Sequence, residues 1–259
     1  MDRERPERRD EVRGISDDGT ASGAVVLERA PGRSGELVLR RHGEHLEIIV
    51  GGTFLISTEN LTSSVALIEA GLAALKDTRT RGGAGGAAGS AQRTGFRILI
   101  GGLGLGYALD TALCEPGVGC VTVAEYEPVI VEWFREHGHE RAERLGAAEA
   151  TGRARIVVGD VADVMRATPR AFDLVALDTD NGPDWLVREE NAGLYDEAGL
   201  GVALGALRPN GVVAVWSPER YDWFAERLAA VFARVEAVAT RDHVGDHTHE
   251  YTMYVARRE

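Results

Sequence analysis

The sequence predicts an α/β protein: a doubly wound, mostly parallel sheet preceded by a small antiparallel β-meander. Three observations carry this. From Phe96 onward, strand-length apolar runs alternate with helix-length segments. A glycine-rich turn follows the first of those strands, and the two last strands stand too close together for a crossover helix. The chain has 259 residues and a mass of 27.8 kDa, room for one large α/β domain with an appendage.

Taken in order, residues 1–34 open with MDRERPERRDEVRG, which has no apolar core of a secretory signal and reads as a solvated, disordered tail. Residues 35–76 hold three β-rich runs, GELVLRR, HLEIIV and TFLIS, separated by His42-Gly43-Glu44 and Gly51-Gly52. An amphipathic helix follows at Ser63–Lys76, where Val65, Leu67, Ile68, Leu72 and Leu75 recur at helical spacing. Residues 77–95, rich in Gly, Ala and Ser, form a flexible connector whose backbone entropy resists ordering.

The domain at 96–259 has strands at Arg97–Ile100, Gly119–Ala124, Ala154–Val158, Leu174–Leu177, Gly211–Trp216, Val235–Thr240 and Tyr251–Ala256. Helices between the first five fall at Tyr107–Leu113, Pro128–Arg144, Val161–Ala167 and Leu194–Leu207. Five parallel strands closing on an antiparallel hairpin is the layout of a Rossmann-like methyltransferase fold.

Charge narrows the function. With 29 Lys+Arg against 41 Asp+Glu the chain carries −12, so phosphate backbones and anionic lipid are repelled; no nucleic-acid or membrane partner is expected. The longest apolar runs, such as Ile98–Ile100 and Val212–Trp216, are strand-length. Cys114 and Cys120 make no disulfide framework and fit buried thiols of a reduced, cytoplasmic protein.

Ligands of such sheets bind beyond the carboxyl ends of the strands. The first strand runs into Gly102-Leu103-Gly104-Leu105-Gly106, a GxGxG turn that suits close approach of a nucleoside, and at its simplest is a tight βα turn. The second ends at Glu125, nineteen residues on, where a carboxylate can accept both ribose hydroxyls or merely start a helix. The third ends at Gly159-Asp160, an acceptor for an adenine amino group or an N-cap. The fourth gives FDLVALDTDNGPDW, with Asp178 at the strand end and Asp180 close behind. Acids in a desolvated cleft attract a cation and take its proton, though an Asx turn alone would explain the composition. Trp185 and Trp216 are candidate walls for an acceptor. The segment Asp242–Glu250 carries three His and three acids; a polar hairpin loop is favoured there over a metal site or clamp.

From Phe96 to about Ser217 the chain resembles the spermidine synthase (polyamine aminopropyltransferase) family. The matching pieces are ILIGGLGLG, VTVAEYEP, ARIVVGD, FDLVALDTDNGP and LYDEAGLGVALGALRPNGVVAV. The resemblance implies ribose binding by Glu125, adenine binding by Asp160, and amine deprotonation by Asp178. It also implies a homodimer, and S-adenosylmethionine or its decarboxylated form as co-substrate with no metal, a small amine being the acceptor. Three departures stand out: Gly104 replaces the acid that grips the aminopropyl ammonium, the second acid of the DSSDP-type loop shifts to Asp180, and a Tyr-His pair has no counterpart in TENLTSSVALIE. Methyl transfer to a small molecule, and a non-catalytic nucleoside-binding protein, are the alternatives.

Overall fold

The computed structural model describes residues 23–59, 62–82, 95–180, 182–244 and 247–259. Four antiparallel strands in the order β1-β2-β3-β4 form the N-terminal sheet: β1 (Ala24–Gly32), β2 (Gly35–His42), β3 (His45–Val50) and β4 (Thr53–Ser57). Strand β1 falls inside the stretch expected to be tail. Its residues alternate little between apolar and polar, and it is held by pairing with β2 across its whole length.

The main sheet has seven strands: β5 (Phe96–Gly101), β6 (Val118–Glu125), β7 (Ala154–Val158), β8 (Phe172–Leu177), β9 (Leu207–Ser217), β10 (Arg234–Val244) and β11 (His247–Arg257). Their order is β10-β11-β9-β8-β5-β6-β7, with β5 to β9 parallel and β11 antiparallel to both neighbours. This is the predicted α/β class. The switch in order lies at β5, where the chain leaves first toward β6 and later toward β8.

Alternation along the strands builds two cores. Ile98, Ile100, Leu174, Ala176, Val212 and Ala214 face one side, and Leu99, Val175, Leu177, Val213 and Val215 the other. Helix α1 (Thr62–Gly82), expected with the meander, places Leu67, Ile68, Leu72 and Leu75 in the first core, packed on the main sheet. Leu37, Leu39, Ile48 and Val50 of the N-terminal sheet join the same cluster, so the two sheets share a core. Because α1 continues to Gly82, the first residues of the expected connector are helical; 83–94 lie outside the described residues.

Other helices are α2 (Tyr107–Cys114), α3 (Pro128–His137), α4 (Glu140–Ala150), α5 (Val161–Ala167), α6 (Ala192–Tyr195), α7 (Glu197–Ala206) and α8 (Asp222–Val231). Two predicted helices are split. Gly138 and His139, the latter at φ 47, separate α3 from α4 where one helix was expected. Asp196 accepts a hydrogen bond from Gly199 N at 2.8 Å and starts α7 afresh. Helix α8 was not predicted; Phe224 and Leu228, one turn apart, anchor it in the second core, and it carries the chain over to β10. The acidic and His-rich segment is strand rather than loop up to Val244 and from His247, the ladder pairing Asp242 with His249; residues 245–246 lie outside the described residues. Cys114 is exposed and Cys120 half-buried, not core thiols.

Candidate functional site

The carboxyl ends of β5, β6, β7 and β8 open into a cleft of about 950 Å³, part of it continuous with solvent. Strand β4 and the first turn of α1 roof it from the N-terminal side through Leu55, Ile56, Ser63 and Ser64. Gly102, Gly104, Glu125, Asp160, Asp178 and Asp180, all singled out from sequence, line this one cleft. Among the predicted residues, Gly106 and Trp185 do not.

The glycine turn is shaped by its protein neighbours. All three glycines have positive φ, a conformation costly for residues with a Cβ. A Cβ on Gly102 would stand 2.3 Å from the carbonyl oxygen of Asp178, and one on Gly106 would enter the ring of Phe134. Gly106 therefore serves as the left-handed start of α2 behind the cleft rather than as a ligand contact. Gly104 differs: its missing Cβ faces Ile56, whose Cδ1 would lie 3.2 Å away. An apolar side chain thus stands over the turn position at which the resemblance leads one to look for an acid.

Glu125 is buried at the tip of β6. Leu103 N donates to one of its oxygens at 2.7 Å and Glu127 N to the other at 2.8 Å, so the carboxylate pins the glycine turn to the strand end. Burial raises its pKa, opposed by those backbone donors. Glu127, also buried, reaches the other way and accepts from Arg33 N at 2.8 Å and Ser34 N at 2.7 Å. The β1–β2 turn is thereby clamped against the rim of the cleft.

Asp160 caps α5, one oxygen accepting from Ala162 N at 2.8 Å. Its other oxygen lies 3.8 Å from Nη1 of Arg188. The cap and a ligand contact are compatible, because they use different oxygens.

The two acids after β8 have different surroundings. Among the described residues Asp178 accepts one side-chain hydrogen bond, from Ser64 Oγ at 2.8 Å. Loss of solvent raises its pKa, with the Ser64 hydroxyl pulling it back in part. Asp180, expected to hold substrate, is instead the hub of its own loop. It accepts from Val187 N (2.9 Å), Asn191 Nδ2 (3.0 and 3.1 Å), Tyr195 Oη (2.9 Å) and Thr179 Oγ1 (3.0 Å). That network raises the Tyr195 phenol well above its ordinary pKa, chiefly through burial and then through the Asp180 charge. Trp185, expected to contact substrate, sits on the same loop at 58% exposure and outside the cleft. Trp216, at the end of β9, does line it.

Sequence reasoning missed Ser64, Ile56, Tyr126 and Arg188. Only Tyr126 had a local signal, its place between Glu125 and Glu127; the rest reach the cleft from distant elements. Among the described residues, Glu28, Glu136 and His137 bring ligand-type atoms within 4.8 Å of one another, outside the cleft. Glu28 there already meets His137 Nε2 at 2.8 Å and accepts from Trp133 Nε1 at 2.7 Å.

Comparison with known proteins gives a spermidine synthase-like fold. The chain superposes on a spermidine synthase in complex with the transition-state analogue AdoDATO at a TM-score of 0.69 and 15% identity, covering 90% of this chain and 74% of that one. A spermidine synthase from Thermotoga maritima gives 0.68 and 15%, covering 90% and 73%. A probable spermidine synthase from Corynebacterium glutamicum gives 0.60 and 16%, covering 89% and 79%. No family model and no curated protein matches the sequence.

Proposed function

We propose that the chain is a transferase that binds an adenine sulfonium nucleoside and moves its alkyl group to an amine. The observation that carries this is convergence: Glu125, Asp160 and Asp178, from three successive strand tips, meet in one cleft, and Asp178 is the desolvated acid whose hydrogen-bond donor among the described residues is the Ser64 hydroxyl. The outer lone pairs of Glu125 suit ribose hydroxyls, and the free oxygen of Asp160 suits an amino group of the base. Asp178 takes a proton from the acceptor ammonium, freeing the nitrogen lone pair. That nitrogen bonds to the sulfonium-bound carbon, the carbon–sulfur bond breaks, and its electron pair leaves on sulfur as a neutral thioether. The proton on Asp178 then passes to solvent.

The spermidine synthases among the structural neighbours favour an aminopropyl group, taken from decarboxylated S-adenosylmethionine, with a small amine as acceptor. One observation favours a second reading, methyl transfer from S-adenosylmethionine: Ile56 against Gly104 offers no charge to an aminopropyl ammonium. Incubating the protein with each labelled donor and a panel of amines, followed by mass analysis, separates the two. Gain of an aminopropyl unit supports the first, gain of a methyl unit the second, and no transfer from either donor overturns both.

A further inference from the structure

Arg188 is a cation in the cleft that neither reading above uses. Its side chain is only 14% exposed, yet among the described residues its donors have only long contacts. Nη1 makes one long hydrogen bond, 3.4 Å to Asn191 Oδ1, and lies 3.8 Å from the free oxygen of Asp160; Nε lies 3.8 Å from Glu190. The guanidinium carbon sits 3.5 Å from the centre of the Tyr126 ring, a stacking contact that fixes the group in place. Arg33 approaches the same ring at 5.2 Å and donates to the Tyr126 carbonyl. Tyr126, Asp160 and Arg188 all line the cleft.

The position of Arg188 is built from beneath. Asn191 Nδ2 faces both oxygens of Asp180, which leaves the Asn191 carbonyl oxygen turned to Arg188. Asp180 also holds Val187 N, next to Arg188 in the chain. A buried hub thus aims a guanidinium at the tips of β6 and β7.

Resting on the reading of the cleft as an adenine nucleoside site, we propose that Arg188 and Asp160 together read the edge of the base. A carboxylate only accepts and a guanidinium only donates. Side by side they complement an edge that places an amino group next to a ring nitrogen, as adenine does. Asp160 takes the amino hydrogen, and Arg188 donates to the ring nitrogen beside it. Arg188 is then a specificity residue for the base, not a participant in alkyl transfer.

The test is calorimetric binding of methylthioadenosine and its 1-deaza and 7-deaza analogues to the full chain. Wild type is expected to bind one deaza analogue roughly tenfold more weakly, the loss of one charge-assisted hydrogen bond. Arg188→Met, similar in length but without donors, is expected to bind all three alike. Arg188→Lys, which keeps the charge without the planar fork, is expected to retain part of the discrimination. Thermal midpoints on the same preparations confirm that the variants are folded. Equal binding of the three ligands by wild type overturns the proposal. So does an Arg188→Met protein that keeps the discrimination, or one that binds methylthioadenosine more tightly, since Arg188 would then be an obstacle. A wild-type chain that binds no adenine nucleoside removes the nucleoside reading itself and this proposal with it.

Discussion

The tips of β6 and β8 each carry two acids spaced two residues apart, Glu125 with Glu127 and Asp178 with Asp180. At β6 both are spent on backbone N–H groups: Glu125 gathers the glycine turn, and Glu127 gathers the β1–β2 turn. At β8 the work is divided. Asp180 takes donors from three further residues of its loop and from Thr179, whereas Asp178 has the Ser64 hydroxyl. A carboxylate with a donor on each oxygen holds a frame still; one with a single donor in a desolvated place has capacity left for a proton. Under the proposed function, the β6 pair gives a rigid nucleoside end and Asp178 a reactive acceptor end, and the difference is one of hydrogen-bond supply, since all four residues bear the same functional group.

The sharpest way to break this contrast is Asp178→Asn. Turnover is expected to fall on the order of 10²–10⁴, the usual contribution of a positioned base, with nucleoside affinity little changed. Folding should respond in the opposite direction. The Asp178 carboxyl is held above its ordinary value of 3.8, so the folded chain binds this proton more tightly than the unfolded chain. Its contribution to stability is therefore full below pH 3.8 and is lost as pH rises through the folded value. The Asn variant should thus melt at least as high as wild type near neutrality, and the advantage should vanish in acid. In wild type the acidic limb of the pH–rate profile should lie above 3.8. A limb at or below that value, or an Asn variant that is inactive only because it has unfolded, would contradict the assignment.

Asp180→Asn tests the other half of the β8 pair. One carboxylate oxygen becomes an amide nitrogen, so either Val187 N and Asn191 Nδ2 or Tyr195 Oη and Thr179 Oγ1 lose their acceptor, and a stability loss of about 1–3 kcal/mol is expected by denaturant titration. Activity should fall with the folded fraction and with displacement of Arg188, rather than through the acceptor Michaelis constant alone. A variant of wild-type stability with only a raised acceptor Michaelis constant would return Asp180 to substrate binding.

Glu125→Ala is expected to weaken methylthioadenosine binding roughly 10–100-fold, through lost ribose contacts and a loosened glycine turn. Unchanged affinity by calorimetry would separate β6 from the ligand. The smallest effect belongs to Glu127→Gln, about 1 kcal/mol, because the amide oxygen still accepts from one of the two turn N–H groups. Hydrogen exchange should speed up at Arg33 and Ser34 before the main sheet responds. Uniform exchange across both sheets would show that the shared core, not Glu127, holds the β1–β2 turn.

Much of this site is legible in the linear chain. Apolar runs of strand length set β5 to β9, and their ends place Glu125, Asp160 and Asp178 on one edge, because parallel strands joined by right-handed crossovers all finish on the same side. Two of the structural alternatives also hold. Asp160 is an N-cap, and Asp180 is the acceptor of a loop network. Local patterning read α5 correctly but joined α3 to α4 across Gly138, after which His139 at φ 47 breaks the helix.

The sequence by itself determined which residues reach the rim of the sheet, because period-two burial and glycine conformation are local properties. Tertiary structure decided what each acid does there. Among the described residues the side-chain donor to Asp178 comes from Ser64, 114 positions away, and Ile56 closes over Gly104 from another sheet. Glu127 meets a turn 93 and 94 residues earlier, and Arg188 crosses from the β8 loop to Tyr126 and Asp160. A carboxylate's pKa and reactivity depend on the donors and solvent around it, and those are assembled only when distant segments pack together.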